Sequence, residues 1–404
     1  MNASLADRLT TLSAGDRRLL LAMCGVALAA LLGGIAGGGG VALARAGWIG
    51  VIPETGYRML TLHGVGIFFY WLFVVQGAIL LAFAAGEGGR GLAGRRFAWA
   101  GAALMLAGFV ASLGAAAFGT PLLYDGNPEL ATQDPRALAA FNAGYILLGA
   151  GLIALPAAAI ATLLGAARRH GGFSAVGFAL FAWAGFLMVS GFAMLYVFLP
   201  GLLWAVGWAD FPAHHGTNWH IVFHNMHYLP LMATVIVWYL VMHEVVGVTS
   251  IFGAGFSKLV FAAYLVFVPP TSLYHMFLEP DLPGAVRIAG SLLSLFVSVP
   301  TLTAFLIIVA SLEVQARARG GRGLFGWLRA LPWHEPAMAA AGLAVVNMAF
   351  GLVFAFVLIQ AELAPRLSDT FFVPGYFHFF TVGTVSLSFL AALAMILPAL
   401  TSRG

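Results

Sequence analysis

Long apolar runs separated by short polar segments occupy almost the whole chain. A run of about 20 apolar residues is long enough to cross the hydrocarbon core of a bilayer as an α-helix. Ten such runs are present, at residues 18–40, 59–85, 95–118, 139–165, 174–206, 218–246, 258–278, 285–314, 338–363 and 371–400. The pattern predicts an all-α integral membrane protein of about ten transmembrane helices, forming a single domain over residues 1–404.

The composition agrees with this pattern and excludes a soluble domain. Of the 404 residues, 61% are hydrophobic and 8% are charged. The 50 glycines are typical of membrane helices that pack closely. The only cysteine, Cys24, excludes an intrachain disulfide and a thiolate metal cluster, so a bound metal needs His, Tyr or carboxylate ligands.

The cationic residues divide unequally between the two sides of the membrane. With ten spans, both termini and every second loop share one side, which carries 14 of the 19 Lys and Arg residues. The positive-inside rule then predicts a multi-pass protein of the cell inner membrane with both termini cytoplasmic. Membrane topology explains the positive charge, so no nucleic-acid partner is predicted. The more acidic outer loops either dock a basic electron donor or are ordinary solvated segments.

Four histidines are predicted to lie at one level, in the outer third of the membrane. His63 and His378 come a few residues into spans that run in the same direction, and His224 and His275 reach the same depth on two other spans. An ionisable residue within a span is a functional-site hypothesis by default. One such histidine is more often a satisfied polar residue, but four at one depth favour a cofactor layer. Neutral imidazole suits haem iron, copper and zinc.

The residues around His63 and His378 are suited to a flat ring in an apolar setting. Gly64, Gly66 and Gly375 would allow the ring close to the backbone. Aromatic side chains could line the pocket or could equally serve core packing or lipid contact: Phe68, Phe69, Tyr70, Trp71, Phe377, Phe379 and Phe380.

The sixth run adds a polar face with the sequence NWHIVFHNMHYLPL. His220, His224 and His227 are spaced by four and three residues, which places them on one helical face. Tyr228 lies one turn after His224, and a histidine and a tyrosine so placed can meet at a metal. Farther along, Tyr239 with Thr301 and Thr303 of the eighth run could relay protons or join helices by hydrogen bonds.

Several segments resemble one family. SLLSLFVSVPTLTAFLIIVASLE at 291–313, RGGRGLFGWLRALPW at 319–333 and VPGYFHFF at 373–380 are similar to subunit I of the heme–copper oxidases, B-type branch. TLHG at 61–64 and the His224-x-x-x-Tyr228 spacing support the likeness, which covers nearly the whole chain. The resemblance implies the heme–copper oxidase subunit I bundle.

The resemblance also implies roles at a first haem. His63 and His378 would be the two axial ligands of a low-spin haem b. Asp369 falls where family members place polar residues near the haem propionates. Arg58 and Arg287, on the outer side, are candidates for neutralising those propionates.

A second site is implied beside that haem. His224 and His275 would be copper ligands next to a high-spin haem, and Tyr228 takes the place of the family's redox-active tyrosine. The implied reaction is reduction of dioxygen to water with proton uptake from the cytoplasm. The implied partners are a subunit II-like copper protein and cytochrome c or a similar small electron donor.

The sequence departs from the family pattern at this second site. Tyr376 stands where the family has the histidine ligand of the high-spin haem, and Tyr274 replaces the first of two adjacent copper histidines. The family continues for at least two more helices after the tenth, with a pair of arginines that bind propionates, which a partner chain could supply here.

Three accounts of these departures stay open. The dinuclear site keeps altered ligands, with tyrosinate on iron and His220 or His227 on copper. Alternatively, only the bis-histidine haem survives and the protein is an electron-transfer or redox-sensing cytochrome. In the third account the chain is a decayed or truncated paralogue. A nitric oxide reductase would typically carry a glutamate at the place of Tyr228, and a transporter would show an internal repeat, so both fit less well.

Overall fold

The computed structural model describes the backbone of residues 4–119, 134–213, 215–268, 283–358, 360, 363–367 and 370–402. Within these ranges the side chains at 217, 220, 221, 223–225, 227, 228, 286, 287, 290, 291, 293–297, 364 and 365 are not described. The chain forms two compact units. The N-terminal unit comprises Leu12–Arg169 and Ala184–Met226, and the C-terminal unit comprises Met1–Thr11, His170–Trp183 and His227–Gly404. That the chain forms a single domain stays a prediction.

The described residues form helices joined by short loops. The helices are α1 (Leu5–Thr10), α2 (Ala14–Arg45), α3 (Pro53–Gly88), α4 (Arg95–Phe118), α5 (Pro135–His170), α6 (Ala175–Ala205), α7 (His215–Leu240), α8 (Gly253–Phe267), α9 (Gly284–Ala318), α10 (Pro336–Leu358), α11 (Ala364–Leu367) and α12 (Phe372–Thr401). Three π-helical segments interrupt or extend them, at Val65–Trp71 in α3, Val241–Val245 after α7 and Phe379–Ser386 in α12.

The prediction of a multi-span α-helical membrane protein is confirmed. Among the described residues, 8 helices are long and apolar enough to cross a membrane, and two shorter apolar helices cover Leu229–Val245 and Gly253–Phe267. These ten segments coincide with the ten predicted runs. The end of the seventh run lies outside the described residues.

The first span extends beyond its predicted end. The predicted apolar run covers roughly residues 18–40, and α2 continues through Gly37–Gly40 to Arg45 although glycine has a low helix propensity. Helix α3 packs against this glycine-rich stretch. A Cβ at Gly37 would lie 2.9 Å from the Met59 carbonyl oxygen and 3.2 Å from the His63 backbone nitrogen. Tertiary contact therefore offsets the weak local preference for helix.

Glycines also bring α4 and α5 into backbone contact within the N-terminal unit. A Cβ at Gly108 would lie 2.6 Å from the Gly144 carbonyl oxygen, and one at Gly151 would lie 2.9 Å from the Gly101 carbonyl oxygen. On each helix the two glycines are seven residues apart, which is two helical turns. Small residues at such intervals allow two membrane helices to approach closely.

A buried hydroxyl joins three helices near the same contact. The Tyr70 hydroxyl of α3 donates to the Gly144 carbonyl of α5 at 3.2 Å. It also lies 2.9 Å from the Ser112 hydroxyl oxygen of α4. A polar group in an apolar interior is costly unless it is hydrogen-bonded, so this arrangement fixes the register of α3, α4 and α5.

An ion pair fixes one end of the N-terminal unit. Asp16, in the first turn of α2, is fully buried. The Arg95 guanidinium, at the start of α4, donates to both of its carboxylate oxygens at 2.6 and 2.9 Å. The Ser13 hydroxyl caps α2 and donates to the same carboxylate at 2.9 Å. The two helix N-termini therefore lie side by side.

In the C-terminal unit, α10 packs on α12 and α8 packs on α9. Gly383 of α12 faces Asn347 of α10. Tyr264 of α8 and Thr301 of α9 place their hydroxyl oxygens 2.9 Å apart. Helix α1 is tied to the π-helical end of α7, because Glu244 accepts a hydrogen bond from the Leu5 backbone N–H at 2.8 Å.

Replacing Gly108 by Ala should destabilise the N-terminal unit by about 1–3 kcal/mol, because the new methyl group overpacks the α4–α5 contact. Thermal unfolding followed by fluorescence-detected size exclusion would measure this as a lower Tm.

Gly114→Ala on the same helix is the matched control, because a Cβ there has no neighbour within 4 Å. Its Tm should stay level or rise slightly, since alanine favours helix over glycine. Equal Tm values for the two variants would contradict the proposed helix contact.

Candidate functional site

His63 lies in α3 of the N-terminal unit, and its imidazole is held by a neighbouring helix. The ring nitrogen Nδ1 lies 2.8 Å from the Gly34 carbonyl oxygen of α2. A carbonyl oxygen only accepts hydrogen bonds, so Nδ1 carries the proton in the neutral ring. In this tautomer Nε2 is the unprotonated ring nitrogen, the one with which an imidazole binds a metal.

Glycines on α2 make room for this imidazole. A Cβ at Gly38 would lie 2.6 Å from His63 Nδ1 and 2.7 Å from Cε1. A Cβ at Gly40 would collide with the Met59 methyl carbon, and one at Gly34 would lie 2.6 Å from the Ile67 side chain. The missing side chains of Gly34 and Gly38 on α2 thus leave the space that the His63 ring occupies.

His378 of the C-terminal unit is held in a related way. Its Nδ1 lies 2.5 Å from the Pro374 carbonyl oxygen, one turn earlier in α12. Gly375 lies between these residues, and a Cβ at that position would meet nothing within 4 Å. His378 is exposed. Nε2 is again the unprotonated ring nitrogen.

The donor set fits haem iron. Histidines that bind a metal usually donate their other ring N–H to a carbonyl or carboxylate, which fixes the tautomer and the ring orientation. His63 and His378 each have this second partner, and His63 also has Gly38 close to its ring. Each histidine would bind an iron through its neutral Nε2.

A π-helical segment begins within two residues of each histidine. Val65–Trp71 follows His63, and Phe379–Ser386 follows His378 directly. Such segments are rare and are often found at functional sites. Because a π-turn contains an extra residue, it rotates the following helix relative to the histidine.

Some aromatic residues near His63 serve the core of the N-terminal unit. Tyr70 bonds to α4 and α5 as described. The Phe69 ring lies edge-on to Tyr145, with centroids 4.6 Å apart, and 5.6 Å from Trp219. Of the three roles considered for these residues, core packing is the one that these contacts support.

Tyr376 lies two residues before His378 and is partly exposed. Its ring centroid lies 5.0 Å from that of Phe377 and 5.3 Å from that of Phe380, the latter in an edge-to-face arrangement. The ring therefore belongs to an aromatic cluster on the first three turns of α12.

The side chains of the predicted copper ligands, of Tyr228 and of Asp369 lie outside the described part of the structure. His224 and Tyr228 lie on α7, with side chains outside the described residues. Tyr274, His275 and Asp369 lie outside the described residues altogether. In the part of the chain that the structure describes, no group of three or more His, Cys, Asp or Glu residues could hold a metal ion.

Arg58 has other partners than the propionates considered for it. Its guanidinium donates to Glu54 at 2.6 Å and to the Ala117 carbonyl oxygen at 2.8 Å. These contacts tie the start of α3 to the end of α4. The side chain of Arg287, the other candidate, is not described.

The hydroxyl groups of Tyr239, Thr301 and Thr303 have partners other than one another. The Tyr239 hydroxyl donates to Ser257 at 3.2 Å, whereas Thr301 pairs with Tyr264. Thr303 donates within its own helix, to the Val299 carbonyl oxygen. These contacts join helices, and the same hydroxyls are able to pass a proton.

The residues missed by sequence analysis are the glycines that support His63. Gly34, Gly37 and Gly38 contact the imidazole or the backbone that carries it. The signal was present in the run GGIAGGGG at 33–40. Its pairing with α3 depends on tertiary contact and cannot be deduced from either segment alone.

Comparison with known proteins agrees with this fold. Over an alignment of 147 residues, this chain is 37% identical to cytochrome c oxidase subunit 1 of Thermus thermophilus, and the alignment covers 36% of this chain and 26% of that protein. The aligned region is thus about a quarter of that relative's length. A solved heme–copper terminal oxidase dimer matches with a TM-score of 0.83 and 21% identity, over 94% of this chain and 68% of the other.

The family match is the most extensive. The family described as cytochrome c and quinol oxidase polypeptide I matches residues 18–404. This confirms the resemblance to heme–copper oxidase subunit I, while the B-type assignment stays a prediction. This chain therefore belongs to the cytochrome c and quinol oxidase polypeptide I family.

Proposed function

We propose that this chain is the haem-bearing subunit I of a terminal oxidase and that His63 and His378 are the axial ligands of a low-spin haem b. The observation that carries the proposal is the contact between His63 Nδ1 and the Gly34 carbonyl oxygen at 2.8 Å. A histidine needed only as a polar residue does not require a row of glycines shaped to its ring. Membership of the family supplies the independent support.

The residues of this chain orient the ligands and hold their protons. Gly34 keeps the proton of His63 on Nδ1, and Pro374 does so for His378. A hydrogen bond to a carbonyl also makes the opposite nitrogen a stronger electron donor. Bound haem supplies one-electron chemistry, and Asp369 is the proposed contact to its propionates.

We assign dioxygen reduction to a second site on the helices that follow. His224 and His275 are the proposed copper ligands, Tyr228 is the proposed redox-active tyrosine, and Tyr376 is the proposed ligand of a second haem. Tyrosine is a known ligand of haem iron. The position of Tyr376 in the first two turns of α12, two residues before His378, is compatible with that role.

Electron donors and membrane orientation complete the proposal. A subunit II-like copper protein would pass electrons from cytochrome c or a similar small donor. The asymmetric distribution of Lys and Arg supports placement in the cell inner membrane with both termini cytoplasmic. Protons for water formation would then come from the cytoplasmic side.

A second candidate is a bis-histidine electron-transfer cytochrome that lacks the high-spin haem and copper. Tyr274 and Tyr376 at the places of two histidine ligands favour it. Anionic tyrosinate stabilises ferric iron and lowers the reduction potential, which is unfavourable for an iron that must accept electrons and reduce dioxygen.

Metal content and carbon monoxide binding separate these two candidates. The purified protein should contain copper and a second haem, and its reduced spectrum should shift with carbon monoxide, because a high-spin haem has an open coordination position. Metal analysis and difference spectroscopy on the same preparation provide the measurement. One haem without copper and without a shift would identify the electron-transfer cytochrome instead.

Gly38→Ala should weaken binding of the low-spin haem about 10–100-fold, as is typical when a residue supporting a metal ligand is changed. The added methyl group would lie 2.6 Å from His63 Nδ1 and would force the ring away from the Gly34 carbonyl. Haem content per polypeptide and the reduced-minus-oxidised spectrum measure the effect.

Gly39→Ala is the matched control, since a Cβ at the adjacent position meets nothing within 4 Å. It should keep the haem content and spectrum of the unmodified protein. If Gly38→Ala kept the same haem content and spectrum, the proposed role of Gly38 in making room for the His63 ring would be wrong.

A further inference from the structure

The loop of residues 319–333, between α9 and α10, combines exposed apolar and cationic side chains. Leu324 is 74% exposed and Phe325 is 67% exposed. Arg319, Arg322 and Arg329 are exposed as well. We propose that this loop binds the phosphate headgroup of an anionic phospholipid at the membrane surface, with Leu324 and Phe325 inserted among the lipids.

The loop has a defined conformation of its own. The Gly321 N–H bonds back to the Ala316 carbonyl oxygen at 3.0 Å, and Gly320 has a φ of +97°, so the chain turns sharply at the end of α9. The Trp333 indole N–H donates to the Leu328 carbonyl oxygen at 2.7 Å. The same indole ring packs against Gly342 of α10. The exposed side chains are therefore presented by an ordered loop.

The exposed apolar side chains of the loop favour contact with lipid over contact with water. The loop joins the ends of two helices that cross the membrane, so it lies at a membrane surface. Leu331 of the same loop is only 7% exposed and contributes to the fold, whereas Leu324 and Phe325 do not. Apolar and aromatic residues beside cationic ones are typical of segments that lie in the lipid interface.

The arginines provide charge complementary to a phosphate. Among the described residues, no carboxylate lies within ion-pair distance of Arg319, Arg322 or Arg329. Their neighbour Arg317 differs, because it pairs with Glu313 at 2.5 Å. Guanidinium groups bind phosphate oxygens in a bidentate manner. Cationic residues near a membrane surface each strengthen binding to anionic lipid about fivefold.

Native mass spectrometry of the detergent-solubilised full chain tests this lipid site. Phosphatidylglycerol should bind, and phosphatidylcholine with the same acyl chains should not compete. The combined variant Arg319→Gln, Arg322→Gln and Arg329→Gln should bind phosphatidylglycerol on the order of a hundredfold more weakly. The matched control, Arg90→Gln with Arg96→Gln and Arg168→Gln, removes the same charge from other exposed positions and should leave that binding unchanged.

Three outcomes would overturn the proposal. These are equal loss in both variants, no loss in either, or displacement of phosphatidylglycerol by millimolar inorganic phosphate, which would indicate a site for a soluble anion. Helical circular dichroism of each variant reports correct folding. The lipid site does not depend on the proposed oxidase activity, so either proposal can fail alone.

Spin labelling gives a second measurement that needs no arginine variant. Cys24 is the only cysteine and is buried, so Cys24→Ala with Leu324→Cys yields one label in the loop. In phosphatidylglycerol nanodiscs this label should be relaxed more strongly by oxygen, which concentrates in lipid, than a label at His170→Cys, the exposed last residue of α5. Equal relaxation at the two positions would show that Leu324 lies in water and would contradict the proposal.

Discussion

In hydrocarbon, an apolar side chain gains little by contacting another helix in place of lipid, so helix association depends on close packing and internal hydrogen bonds. Glycine supplies the close packing in this protein. Where α2 meets α3, the missing side chains of Gly34 and Gly38 let a backbone carbonyl reach His63 Nδ1. The contact that joins the two helices is therefore the same contact that prepares the imidazole for a metal.

The backbone itself also positions the two candidate ligands. Each histidine precedes a π-helical segment, in which the following residues are rotated relative to those of a regular helix. In α3 this segment directs Tyr70 toward Ser112 and Gly144. One deviation from α-helical geometry thus allows the histidine and the core tyrosine to satisfy different neighbours.

The spans were predictable from local sequence, whereas the metal-binding roles of His63 and His378 stay predictions. Hydropathy located the apolar runs, and the rarity of ionisable residues in spans singled out His63 and His378. The extension of α2 beyond residue 40 to Arg45 was not predicted, because the sequence near Gly37–Gly40 carries no information about its contact with α3. The packing roles of Phe69 and Tyr70 also depend on neighbours that are distant in sequence.

The π-helical segments have no signal in the sequence that would distinguish them from regular helix. The same holds for the pairing of Tyr239 with Ser257, which requires knowing how α7 meets the start of α8. The roles of His224, His275, Tyr228, Tyr376 and Asp369 rest on the family resemblance and stay predictions. Their test is chemical.

The most direct measurement is electron paramagnetic resonance of the ferric haem in the purified protein and in His63→Ala and His378→Ala. The account predicts a low-spin bis-histidine signal in the unmodified protein that disappears in each variant, because each removes one axial ligand. Helical circular dichroism confirms that the variants are folded. A low-spin signal that persists unchanged in both folded variants would contradict the assignment of these two histidines.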